Sequence, residues 1–249
     1  MRSSHQKSMH ARGIVQGENI LRSGDLQMKL HKCGELAFIP GVLLLGLATV
    51  LMSKASFGLS MVVSPAYVLA DWIRVIPTGS MCYIYQGFLV IVTSIVMGRF
   101  KISYLITFFS AVCFGLSVDA FGAVFAFIQS PGIVWRVILF AVAIPINSLS
   151  ISLLLHCYFP PQAPELFVRE VSGKFGFVMY KTKYVYDLCS CAASIVLSFL
   201  LLGELRHVGV GTVVYAFVNA PLIGVFGRWL DKIADYEPRF PKLRELCDK

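Results

Sequence analysis

The chain has 249 residues, 57% of them hydrophobic and only 14% charged, with a mean hydropathy of +0.72. A soluble domain carries about 25% charged residues, so this composition excludes a water-covered globule. It points to a polytopic membrane protein whose spans each need about 20 apolar residues. The net charge of +8 does not indicate nucleic acid, because the basic residues sit in loops and tails rather than on a patch interleaved with aromatics.

Residues 1–34 form a polar N-terminal tail, expected to be disordered and lacking the apolar core of a secretory signal. "MKLHKCGELAF", from Met28, reads as a natural start, which leaves residues 1–27 as either a tail or an over-extended start. Six long spans follow, at 37–53, 81–98, 103–127, 137–157, 184–203 and 208–229. Residues 57–73, which contain Pro65, and residues 160–177 read as amphipathic or re-entrant helices. A charged tail, 231–249, closes the chain. With both termini cytoplasmic, 18 of the 22 Lys and Arg residues lie on the inner side, leaving Lys54, Arg74, Arg136 and Arg206 outside. If residues 57–73 also spanned, 13 would lie outside, so the six-span topology is favoured.

"YIYQ" at 83–86 and "YVYD" at 184–187 each open a span. A proline-led segment precedes each ("SPAYVLADWI", "APELFVREVS"), and a short basic connection follows ("GRFKI", "GELRH"). The order span, surface helix, span, span therefore occurs twice, in 35–128 and 129–230. A unit of three spans inserts its second copy upside down. The expected fold class is an all-α membrane protein of two inverted three-helix repeats, an arrangement found in secondary transporters with sites near the bilayer midplane.

On a helix, Asp187 shares a face with Ser190, Cys191, Ser194 and Ser198, while Gln86 shares one with Thr93 and Ser94. Two readings stand. In one, the faces line a polar cavity with Asp187 as a cation or proton site. In the other, they are the small residues that close packing requires. Asp187 then lies about one turn, ~6 Å, into its span, within reach of headgroup water and of Lys181 or Lys183. Asp119 lies deep in the third span or at its outer end, with Arg136 as the best candidate partner. Asn147 and Ser150 flank Pro145, whose missing donor either breaks the helix to expose a carbonyl or only kinks it. Gly209, Gly211 and Thr212 of "GVGT" open the sixth span and allow close backbone approach, but the stretch lacks the lysine and strand of a nucleotide loop. Asn219, just before Pro221, is a further buried candidate. His156 reads as interfacial, and Tyr83, Tyr85, Tyr184, Tyr186 and Trp229 as belt aromatics.

The seven cysteines give no disulfide framework. "CSC" at 189–191 lacks the two-residue spacing of a metal or redox motif, so no metal or cofactor is expected. There is no H-E-x-x-H, no nucleophile elbow and no carboxylate pair on one face, so no enzymatic role is expected.

The segments "FGLSMVVSPAYVLADW", "PPQAPELFVREVSGKFG", "YVYDLCSCAASIVLSF" and "GVGTVVYAFVNAPLIGVF" together resemble the YczE/YitT-like family of bacterial integral membrane proteins. The likeness covers nearly everything after residue 35 and is closer to the YczE branch, since no soluble domain follows the last span. It implies a compact helical domain in the bacterial cytoplasmic membrane and no assigned activity. The expected function is a small-solute or ion transporter with its polar site near Gln86, Asp187, Asn147 and Asn219. The alternatives are a non-transporting scaffold or assembly partner, and the substrate-binding subunit of a larger transporter. Expected partners are the lipid bilayer, a small solute or ion, and a second copy in a homo-oligomer.

Overall fold

The computed structural model describes residues 30–33, 37–128, 132–156 and 162–237. Apart from residues 30–33, the expected disordered tail of residues 1–34 lies outside the described residues, as does the charged tail beyond residue 237. Strand β1 (Leu30–Cys33) precedes helices α1 (Phe38–Ala55), α2 (Ser64–Ile73), α3 (Thr78–Met97), α4 (Ile102–Val124) and α5 (Ile133–Leu155). Then come α6 (Ala163–Phe175), α7 (Met179–Leu197, continued by a π turn at Ser198–Leu202), α8 (Val210–Ile233) and strand β2 (Ala234–Glu237).

Six of these helices are long and apolar enough to cross a membrane, α2 and α6 being the exceptions. Hydrocarbon offers backbone groups no water, so apolar runs of this length satisfy themselves as helices. The membrane body is all-helical. Outside it, β1 and β2 pair in parallel, Leu30 opposite Ala234 and Cys33 opposite Glu237, a pairing that hydropathy does not announce.

Local sequence explains the boundaries. Pro65 and Pro164 occupy the first turns of the two short helices, where a missing N–H costs nothing. Ser56, Gly98, Gly176 and Gly203 end helices in the left-handed conformation. Helix α7 starts five residues earlier than hydropathy suggests, because Lys181 and Lys183 read as loop yet belong to the helix. Asp187 consequently lies eight residues, about 12 Å of helix, beyond Met179 rather than one turn in.

Helices α1 and α5 make the largest contact and form the centre. Helix α4 packs on α1, and α8 on α5. The short helices bridge outward: α2 touches α3 and α7, and α6 touches α7 and α3. Helices α3 and α4 pack closely, whereas α7 and α8 make no comparable contact with each other. Glycine explains the first seam, since a Cβ on Gly79 or on Gly115 would collide with the backbone oxygen of the other. Replacing Gly115 by valine should destabilise the fold by about 1–3 kcal/mol through overpacking, read as a lower melting temperature in detergent. Gly122→Val, where a Cβ would meet open space, should leave that temperature nearly unchanged.

Candidate functional site

A cavity of about 300 Å³ lies between α1, α5, α7 and α8, where α7 and α8 stand apart, and the first turn of α6 reaches it. Its polar lining includes Asn147 of α5, Tyr215 and Asn219 of α8, Glu165 of α6, and Lys183 and Asp187 of α7. Three residues picked out by sequence, Asn147, Asp187 and Asn219, are therefore brought together from three helices.

Helix α5 runs unbroken through Pro145, so of the two alternatives there the helix break is not present, and α8 likewise continues through Pro221. Asn147 is buried and reaches the cavity by its side chain, where Tyr215 donates its hydroxyl to Asn147 Oδ1 at 2.7 Å. Ser148 Oγ lies 2.8 Å from Asn219 Oδ1 and 2.9 Å from Ile144 O. One hydroxyl proton serves one acceptor at a time, so the Asn219 amide can present either its oxygen or its nitrogen to Ser148. The amide end of the cavity accordingly offers both donors and acceptors.

The other end is charged. Lys183 Nζ sits 2.9 Å from Asp187 Oδ1 and 3.3 Å from Glu165 Oε1. Asp187 thus has one of its two expected lysines as partner, and it shares that lysine with a second carboxylate.

The remaining candidates lie away from this cavity. Gln86 is buried, does not line this cavity, and its Oε1 has no hydrogen-bond partner among the described residues. Asp119 caps α3: the Gly79 N–H donates to Oδ1 at 2.6 Å and Ser80 Oγ to Oδ2 at 3.0 Å. Arg136 is not its partner. It donates to the carbonyls of Ala55 at 2.7 Å and Ser56 at 2.8 Å and lies 4.9 Å over the Phe57 ring. The orphan N–H groups opening α3 and the orphan C=O groups closing α1 attract an acid and a base, respectively. Gly209, Gly211 and Thr212 form a junction with the loop after α1, where the Gly211 N–H donates to Phe57 O at 2.9 Å. A Cβ on Gly58, at φ +121°, would strike Thr212. Tyr85 and Tyr186 are not belt residues either; both turn inward onto the cluster of Leu89, Val90, Tyr104, Ala163 and Leu166. Tyr83 is half-buried against Gly115, while Tyr184 and Trp229 are exposed as a belt requires. His156 contacts Asp231 of α8 at 2.9 Å.

Glu165 and Tyr215 were missed by sequence reasoning. Glu165 sits in an amphipathic helix whose charges read as solvated, although its place immediately after Pro164 marks a helix start that welcomes an acid. Tyr215 precedes Asn219 by one helical turn and shares its face, a signal available in the sequence.

Two further ion-pair sites join the short helices to basic connections. Lys101, before α4, pairs with Glu170 of α6 at 3.0 Å. On α2, Asp71 is met at 2.9 Å by His207 Nε2 and at 3.3 Å by Arg206 Nη1. Among the described residues no group of three His, Cys, Asp or Glu is placed to hold a metal, and Cys82, Cys113, Cys189 and Cys191 are free thiols.

This is the architecture of a multi-pass helical membrane protein with a cavity among its helices that polar and charged side chains help to line. The chain belongs to the family of unknown function DUF6198, which it matches over residues 33–228. No curated protein and no solved structure matches it significantly.

The Asp71 carboxyl is held below its usual range, chiefly by the hydrogen bond from His207 and also by Arg206, against the opposing effect of burial. A depressed acid contributes stability that is present above its unfolded pKa and lost as pH falls through the folded value. The melting temperature should therefore drop below about pH 4. Asp71→Asn should melt lower at neutral pH and lose part of that acid limb, measured by thermal unfolding from pH 3 to 7.

Proposed function

We propose that the protein is a small-solute transporter built from two inverted halves, residues 35–128 and 129–230, with its site in the cavity at Asn147, Asp187 and Asn219. The observation that carries the reading is a set of matched contacts. Helix α4 packs on α1 as α8 does on α5; α2 meets α3 as α6 meets α7; and α3 meets α6 as α7 meets α2. Asp71 and Glu170 each lie six residues after their helix's proline, and each grips the basic connection of the other half. The equivalent tyrosines Tyr85 and Tyr186 pack on one shared cluster, as residues near a pseudo-two-fold axis would.

Two contacts lack a counterpart: the small one of α4 with α6, and the large one of α3 with α4. Helices α3 and α4 are closed on each other and α7 and α8 are not, and the cavity occupies that opening. An inverted repeat with one half closed and its counterpart open is what an alternating-access protein looks like at one stage of its cycle. Rocking the halves would exchange the two conditions, with the pairs at Asp71 and Glu170 as latches on opposite faces. A scaffold role gives no reason for charged and amide side chains gathered around a cavity, and the exposed apolar faces of α7 and α8 need only lipid. The likeness to the YczE branch is compatible with this reading, which includes no catalytic role.

By the basic-residue distribution, α6 and both termini are cytoplasmic and α2 is external, in the cell membrane of a bacterium. Single cysteines at the exposed positions Phe100 and Phe175 should then be labelled from the same face of the bilayer, and a cysteine at Val75 from the other. Labelling of Phe100→Cys and Phe175→Cys from opposite faces would overturn the inverted topology.

In proteoliposomes the protein should catalyse saturable solute flux, and Asp187→Asn should reduce it at least about tenfold, the size expected for losing a charge-assisted contact. Flux indistinguishable between wild type and this variant across a broad solute panel would end the transport reading.

A further inference from the structure

The cavity combines a charged end, an amide end and hydrocarbon walls, and the balance of these defines a ligand class. Two carboxylates, Glu165 and Asp187, share one cation, Lys183. Among the described residues, Lys183 is the cation paired with them. With all three groups ionised the cluster carries one negative charge in excess, and its side chains are only part-buried, so the excess charge is accessible to an incoming ligand. A bound monocation neutralises it.

The walls decide what kind of monocation. Leu45, Met52, Phe114, Ile151 and Ile223 line the space beside the carboxylates. A bare metal ion requires a shell of about six oxygens; this wall supplies none, and among the described residues no three His, Cys, Asp or Glu side chains converge to hold one. The wall suits a carbon body instead. The volume of about 300 Å³ falls at the lower end of small-molecule sites. The carboxylates are hydrogen-bond acceptors, so the cation they favour carries N–H donors, while Asn147 and Asn219 can engage a further polar group.

We infer that the cavity binds a small primary amine in its protonated form, the ammonium at Glu165 and Asp187 and the carbon body against the α1 and α5 wall. The inference rests on the cavity being the solute site proposed above, and it adds the charge and chemistry of the solute. Lys183 then acts as a built-in competitor, its ammonium occupying the carboxylates until a ligand amine displaces or joins it.

The test uses the full chain in nanodiscs with three probes of similar shape: isoamylammonium, neutral isoamyl alcohol and anionic 4-methylpentanoate. Calorimetry should detect the amine, with the alcohol at least about tenfold weaker and the acid without measurable binding. Glu165→Gln and Asp187→Asn should each weaken the amine about tenfold and leave the alcohol unchanged. Lys183→Met should tighten the amine, an outcome that a merely structural ion pair would not give; should that variant fail to fold, Lys183→Gln serves the same comparison. Equal binding of amine and alcohol, preference for the acid, binding of sodium or potassium alone, or weaker amine binding in the folded Lys183 variants would each overturn the inference. Amine binding without amine flux sinks the transport reading and keeps this one. Flux of a solute with which the amine does not compete does the reverse.

Discussion

Helices α1 and α5 carry the architecture, because every other spanning helix except α3 and α7 rests on one of them. Between two apolar helices in lipid there is no hydrophobic drive, so their association depends on close approach and on polar groups satisfied across the contact. Gly41 gives that approach, its position tight against Leu154, and its carbonyl accepts the Ser150 hydroxyl at 2.6 Å. At the far end of α1, the Arg136 guanidinium of α5 closes the last carbonyls. The two helices are fastened at both ends of one seam, and the cavity is built on the side of that seam where α8 leans.

Charge follows the same economy. Several ion pairs among the described residues join a short surface helix to a connection, as Lys101 joins Glu170 and Arg206 joins Asp71. The cluster of Lys183, Asp187 and Glu165 is different, because its members line a cavity. Charge at helix ends satisfies backbone; charge beside a void is available to something else. That contrast, more than any single distance, separates Asp187 from Asp119.

The sequence made much of the fold legible. Hydropathy located six spans and two short surface helices because an 18-residue apolar run in lipid has few conformational choices. It also made Asn147, Asp187 and Asn219 conspicuous, since polar groups inside apolar runs are rare. It could not assign Asp119 or Arg136, whose partners lie 40 and 81 residues away on other helices. Capping across helices is a tertiary fact with no local signature. Gln86 shows the converse: it is as conspicuous as Asp187 and equally buried in expectation, yet the glycine-permitted closure of α3 on α4 leaves it away from the cavity. Glu165 was hidden because an amphipathic helix advertises its charges as solvated.

The separation of α7 from α8 bears on how the molecule is assembled. Domains form from the N-terminus as the chain emerges, and the contacts that α1, α3, α4 and α5 make among themselves are available once residue 155 is in place, with α6 and α8 adding to them afterwards. Helix α8 finds its seat on an existing surface of α5, and α7 is held through the short helices. The cavity is therefore completed late in biogenesis, enclosed only when the 24-residue helix α8 enters the bilayer, and a chain arrested before that helix would have most of the framework with nothing to close it.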